Sequence, residues 1–303
     1  MNKTTKKPIL LASIVGVMLI PLILLTGCPS KKEIKDSKKI TITATFYPMY
    51  IMLLNITENV PNIEVTMLAP AETGCLHDYQ LSTRDMKTID GSDIIVANGA
   101  GMEEFLEKVL DTKDKSQIIE ATVGFPLLEG NPHVWVSPKG AMYQVTRIAE
   151  GLAQLNPENG NAYIENAKKY NEKLQQLDTT MKSELQNLHK KPIITFHEAF
   201  PYFAQEFNLN LLGSVDEEHH HGGSPNPKEL SEIITKINDL IKTGETPVLF
   251  IEEGHSSPAA EIISTETNLP IFQLNPAVTG LIEKNAYISI MEKNCKVLKE
   301  ALN

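Results

Sequence analysis

Three histidines fall in short segments whose residue types suit metal binding. His77 sits in Cys75-Leu76-His77-Asp78-Tyr79. His133 sits in Asn131-Pro132-His133-Val134-Trp135-Val136-Ser137-Pro138, beside the chain's one tryptophan, and His197 in Thr195-Phe196-His197-Glu198-Ala199-Phe200. Neutral imidazole is a good ligand for zinc and its neighbours, with metal–nitrogen bonds of about 2.0–2.1 Å. A single histidine is more often a hydrogen-bonded structural residue. Three at the ends of predicted strands, two before a long predicted helix and one after it, read as one site assembled from distant segments. Asp78 and Glu198 stand next to two of them and can accept from the second ring nitrogen, fixing the tautomer. Glu252 and Glu253 end another predicted strand and offer a fourth ligand through water, or a base behind one. The run Glu217-Glu218-His219-His220-His221 before Gly222-Gly223 suits either a cation-collecting loop or a solvated turn. His189 and His255 are not expected as ligands.

The elements that must position these residues follow from periodicity. Before residue 157 the chain alternates branched, apolar strands (Ile40 to Phe46, Ile63 to Leu68, Asp93 to Ala97, Gln117 to Ala121) with helices (Tyr50 to Asn59, Ser82-capped to Ile89, Met102 to Leu110, Met142 to Leu155). After residue 190 the alternation recurs. Strands are expected at Pro192 to Phe196, Leu209 to Val215, Pro247 to Glu252 and Pro270 to Leu274. Helices are expected at Ala199 to Phe207, Lys228 to Ile241, Pro258 to Thr267 and Ala286 to Leu302. Such alternation implies parallel sheets flanked by helices, with ligands bound beyond the carboxyl ends of the strands.

Between the halves, Tyr163, Ala167, Tyr170, Leu174, Leu177, Met181, Leu185 and Leu188 recur in steps of three and four. Asn156 is placed to cap this helix, with Pro157 at its first position. A helix over residues 157–189 would be about 50 Å long and would join two lobes, 40–156 and 190–303, as a beam. A hairpin or coiled-coil arm is the other reading of the stripe.

The amino terminus reads as an export signal over residues 1–27: Lys3, Lys6 and Lys7, then the apolar run Ile9 to Leu25. Leu25-Thr26-Gly27-Cys28 resembles the bacterial lipobox, in which the cysteine is acylated. Cys28 would then tie the protein to the outer face of a membrane, with residues 28–39 as a polar tether. That leaves Cys75 and Cys295, read as two separate thiols. The composition, 42% hydrophobic and 22% charged, is that of an ordinary globular chain. The net charge of −10, or −13 without the three signal lysines, argues against nucleic acid and suits a protein that attracts cations.

At this point the residues resemble a family, the zinc- and manganese-binding lipoproteins that feed ABC importers, over nearly everything after Cys28. Thr45-Phe46-Tyr47-Pro48 is similar to the family's opening strand, and His77 with Tyr79 to its first ligand motif. Asn131-Pro132-His133-Val134-Trp135 is similar to the second, usually Asp-Pro-His-x-Trp. His197-Glu198-Ala199-Phe200-Pro201-Tyr202 is similar to the third. The resemblance implies an α/β protein of two lobes, each a mostly parallel sheet with flanking helices, joined by one long helix. It implies an extracytoplasmic, monomeric, lipid-anchored protein that captures zinc, with manganese as the alternative, and passes it to a permease and its ATPase. The implied ligands are His77, His133 and His197, with Asn275 of Leu274-Asn275-Pro276 in the place where many members have an aspartate. The family has no thiolate ligand at Cys75, which is read as structural or incidental. Two other functions fit parts of the pattern: a zinc hydrolase using Glu252 as base, against which no His-Glu-x-x-His occurs, and a surface adhesin. No Walker pattern is present, so the chain does not itself use ATP.

Overall fold

In the computed structural model the described residues are 1, 39–76, 79–106, 117–189, 191–215 and 227–303. The signal segment, Cys28, the tether up to residue 38, His77, Asp78 and His219 to His221 lie outside them. Among the described residues no helix is long and apolar enough to cross a membrane.

The chain from residue 39 builds two four-stranded parallel sheets. The first takes β1 (Ile40–Ala44), β2 (Ile63–Met67), β3 (Ile94–Ala97) and β4 (Ile118–Glu120) in the order β2-β1-β3-β4. The second takes β5 (Pro192–Thr195), β6 (Asn210–Ser214), β7 (Val248–Glu252) and β8 (Ile271–Leu274) in the equivalent order β6-β5-β7-β8. The α/β reading of two sheets with flanking helices therefore holds, and both halves share one topology that no repeat in the sequence announces.

The helices begin where the sequence supplies caps. In the first half α1 (Tyr47–Ile56) opens with Pro48 in its first turn. In α2 (Thr83–Asp90), Ser82 and Asp85 form a reciprocal capping box. Ser137 accepts from the Gly140 N–H at the start of α3 (Pro138–Leu155), which begins earlier than the hydrophobic pattern indicates. Gly140 is required there: a Cβ would lie 1.9 Å from the Val134 carbonyl oxygen, so the turn carrying His133 closes tightly only over glycine. Of the helix expected over Met102 to Leu110, Glu104–Leu106 forms a 3-10 turn and the rest lies outside the described residues.

The long helix α4 spans Gly160–Leu185, about 39 Å, preceded by a 3-10 turn at Pro157–Asn159. It is shorter than 157–189. Asn156 makes no side-chain cap, because its Oδ1 accepts the Tyr163 hydroxyl instead. All seven stripe residues from Tyr163 to Leu185 are buried. After α4 come α5 (Pro201–Glu206), α6 (Pro227–Lys242), α7 (Pro258–Thr267) and α8 (Ala286–Leu302). α4 packs along α3, α1 and α8, and a continuous apolar core around it runs from Ile42 and Phe46 in the first half to Phe203 and Leu298 in the second. That excludes a projecting arm. A separate core under α6 and α7 (Ile194, Leu249, Ile263) covers the far side of the second sheet.

Candidate metal centre

His133 and His197, 64 residues apart and on opposite sides of α4, meet with ring centroids 4.8 Å apart and planes at 86°. Both are buried, at 2% and 5% exposure, so neither is a solvated surface histidine. His197 lies two residues past the end of β5, at the carboxyl end of the strand. His133 sits on the turn before α3.

Each ring has one nitrogen held by an acceptor. The Asn131 Oδ1 accepts the His133 backbone N–H at 2.9 Å and lies 3.1 Å from His133 Nδ1. His197 Nδ1 is in short contact with Glu252 Oε1, at the end of β7. With Nδ1 occupied as donor, Nε2 is left as the basic nitrogen on both rings, the tautomer a metal ligand needs. Of the acceptors expected in sequence, Glu252 stands behind His197 as the base its strand end offered, Glu198 does not take the ring N–H, and Asp78 lies outside the described residues. Glu198 is exposed, and its backbone carbonyl takes the Asn131 side-chain N–H. Asn131 was legible as a local device, since an Asn two residues ahead of a backbone N–H readily folds onto it.

The surroundings fix both imidazoles. Asn98 donates to the Pro132 carbonyl at 3.0 Å and accepts from Gln144, anchoring the His133 turn to the end of β3. Trp135, fully buried, packs on His133 and edge-on to Phe46. Its Nε1 donates to the Pro276 carbonyl, and Tyr287 donates to the Trp135 carbonyl, so this residue ties the two halves together. Tyr202, on α5, donates to the Asn131 carbonyl and accepts from Leu128 N–H. A cavity of about 570 Å³ opens beside the two histidines, lined by Asn131, Thr195, Glu198 and Ser214 among others.

A third ligand-type atom joins them. The Cys75 Sγ lies 3.6 Å from His133 Nε2, and the ligand atoms of Cys75, His133 and His197 all fall within 4.8 Å of one another. The proximity of Cys75, read in sequence as structural or incidental, is not visible from its spacing. Burial would lower the proton affinity of His197, but the charge and hydrogen bond of Cys75, then those of Glu252, outweigh it and hold the imidazole well above its usual range.

Asn275 has other partners. Its Oδ1 accepts the Ala277 N–H at 2.7 Å, and its Nδ2 faces Glu253 and the Thr279 carbonyl. Glu253 is ion-paired with Lys293. His255 is exposed and its ring lies near Gly74. Cys75 and Cys295 are free thiols, as expected.

Two parallel sheets of one topology, a shared core and histidines from both halves meeting at one point define a two-lobed binding protein with a metal-type site. Residues 42–301 match the family described as Zinc-uptake complex component A periplasmic, ZnuA, and the chain belongs to that family. It is 29% identical to the Zinc-binding lipoprotein AdcA of Streptococcus pneumoniae over 97% of its own length, and spans 60% of that relative. It is 28% identical to the High-affinity zinc uptake system protein ZnuA of Bacillus subtilis, covering 91% of this chain and 92% of that one. Among solved structures, the Zn(II)-bound ZnuA-like domain of Streptococcus pneumoniae AdcA superposes with a TM-score of 0.70 at 31% identity, covering 87% of this chain and 99% of that one.

Proposed function

We propose that this chain is an extracytoplasmic lipoprotein that captures a divalent transition metal, zinc, and hands it to an ABC permease driven by a cytoplasmic ATPase. The observation that carries the reading is the meeting of His133 and His197, each with Nδ1 committed to an acceptor. His77 is proposed as the third imidazole. Imidazoles suit zinc, whereas manganese prefers carboxylates and carbonyls. The protein acts as a monomer and is held at the outer face of the membrane through acylated Cys28. It is a binding protein and not an enzyme, in keeping with a family of uptake components.

The ion joins the two halves, so its affinity depends on their spacing. The core is continuous through both halves. A wide hinge would expose apolar surface at about 25 cal/mol per Å². Release therefore proceeds by a small tilt or loop rearrangement. Because ligating nitrogens and thiolates must be unprotonated, capture displaces protons.

The test is calorimetric zinc titration of the full-length protein in detergent. His133→Ala and His197→Ala are each expected to weaken zinc binding by about tenfold or more, since each removes a metal–nitrogen bond. Unchanged affinity in both variants defeats the reading, as does protein purified from cells grown with both metals that carries mainly manganese.

A further inference from the structure

The two thiols among the described residues stand in opposite settings. Cys295 is buried on α8, donates to Glu184 at 3.5 Å, and is pushed up to about 12, chiefly by burial and then by Glu184, so it is inert. Cys75 is half-buried on the loop after β2 and lies against both histidines of the metal centre. Its position is fixed from the residues around it. Gly74 turns at φ 81°, Leu76 is fully buried, Tyr79 N–H closes onto the Leu76 carbonyl, and the Tyr79 ring packs edge-on to Phe105 while its hydroxyl donates to Asp85.

The distance between sulfur and ring nitrogen, that of a thiol–imidazole hydrogen bond, is also one a tetrahedral ion can bridge. Zinc bonds of about 2.3 Å to sulfur and about 2.05 Å to nitrogen set S and N about 3.6 Å apart at a tetrahedral angle and about 3.1 Å apart at an octahedral one. The Cys75 Sγ and His133 Nε2 are 3.6 Å apart. Charge points the same way. The imidazoles of His133 and His197 are neutral ligands, the Asn275 amide is neutral and its oxygen holds Ala277, and Glu252 holds His197. Among the described residues, Cys75 is the group able to carry a negative charge that lies with both imidazoles.

We propose that Cys75 is a metal ligand, its thiolate joining the Nε2 atoms of His133 and His197 around one tetrahedral ion and setting the site's preference for zinc and softer cations over manganese. This rests on the metal-capture reading and deepens it. As the sulfur–metal bond forms, the thiol proton passes to solvent. A thiolate gains most with a thiophilic ion and least with manganese, so Cys75 acts as a selectivity element.

Cobalt(II) titration of the full-length protein in detergent tests it, because thiolate ligation gives an intense near-ultraviolet sulfur-to-cobalt charge-transfer band, separate from the visible d–d bands that report binding. The wild type and Cys295→Ala are expected to show both. Cys75→Ser is expected to keep visible bands and lose the charge-transfer band, with zinc affinity down about tenfold or more and manganese affinity changed by less than about threefold. Visible bands without charge transfer in the wild type overturn the thiolate and leave metal capture standing, as does charge transfer that survives in Cys75→Ser. No cobalt binding at all overturns both. Should Cys75→Ser fail to fold, X-ray absorption of the zinc-loaded wild type decides: a sulfur shell at about 2.3 Å supports the proposal, and nitrogen and oxygen alone at about 2.0–2.1 Å overturn it.

Discussion

The two sheets share a strand order that reverses between the first and third strand of each half, yet the residues at the two reversals do different work. In the second sheet the reversal lies between β5 and β7, and there stand His197 and its acceptor Glu252. In the first sheet it lies between β1 and β3, and there stand Thr45 and Asn98. Thr45, Asn98 N–H and Gly99 N–H all donate to the buried carboxylate of Glu103, while the Asn98 side chain carries the His133 turn. The second half places a ligand directly at its reversal. The first builds a support there and brings His133 in after β4. A buried carboxylate occurs at both places, with an imidazole as partner in one and neutral donors in the other. The partner decides whether a buried charge serves the ion or the fold.

The largest expected effect sharpens that contrast from the structural side. Burial pushes Glu103 up to about 7 from 4.5, against the three donors that hold it down. A carboxyl whose folded pKa is raised binds its proton more tightly when folded. Its contribution is therefore fully present below about 4.5 and is lost as pH rises to about 7. The loss is at most about 3 kcal/mol. Denaturant unfolding of the wild type and Glu103→Gln across this window is expected to show the wild type losing stability relative to the variant as pH rises. Parallel curves would mean that Glu103 does not titrate there.

Glu252→Ala comes next. Removing a carboxylate that orients and polarises a ligating imidazole costs about 10–100-fold in metal affinity, and the upper end is expected for zinc because Glu252 is both charged and buried. Glu252→Gln, which can still accept, is expected to lose about tenfold. If calorimetry finds Glu103→Gln as damaging to zinc binding as Glu252→Ala, the division of labour between the two carboxylates is wrong.

Much of this was legible in the sequence. Pro258–Thr267 and Ala286–Leu302 form helices with the expected bounds, because Ser257 caps one and an unbroken amphipathic run makes the other. The α4 stripe lies in the core as its spacing requires. What periodicity cannot give is which loops meet. His133 and His197 were identifiable by type and place. Which histidine Glu252 stands behind, and the place of Cys75 beside both rings, depend on contacts across 55 and 58 residues of chain, whereas Asn131 acts locally, across 2. Helix starts shifted where loop chemistry overrode the apolar pattern, as at Ser137-Pro138, where the cap begins α3 four residues before Met142. Asn156 read as a cap from its type, but Tyr163 competes for its oxygen.

A smaller effect is expected from Asn131→Ala. Its amide orients His133 through two contacts but brings no charge, so the loss should be about tenfold, the lower end of the range for groups behind a ligand. Zinc affinities for Asn131→Ala and Glu252→Ala measured side by side bear directly on the comparison. Equal losses would show that orientation alone matters and that the charge of Glu252 adds nothing.

The smallest effect is expected from Asn275→Asp. The resemblance puts this residue in the metal shell, and a carboxylate there would then strengthen manganese binding by a larger factor than zinc binding. The bonding of Asn275 argues otherwise. Its Oδ1 receives the Ala277 N–H, its backbone N–H donates to Asn294, and its Nδ2 faces Glu253 and the Thr279 carbonyl. An aspartate keeps the Ala277 contact, loses the two Nδ2 contacts, and sets a second carboxylate beside Glu253, whose pKa is lowered first by its hydrogen bond from Lys293. The turn that also supplies the Pro276 carbonyl to Trp135 is then weakened, at a cost of about 1 kcal/mol per lost hydrogen bond. Affinity for either ion is expected to change by less than about threefold, equivalent to under about 0.7 kcal/mol. A gain for manganese well beyond that, with zinc unmoved, would return Asn275 to the shell and make the second half the donor of two ligands.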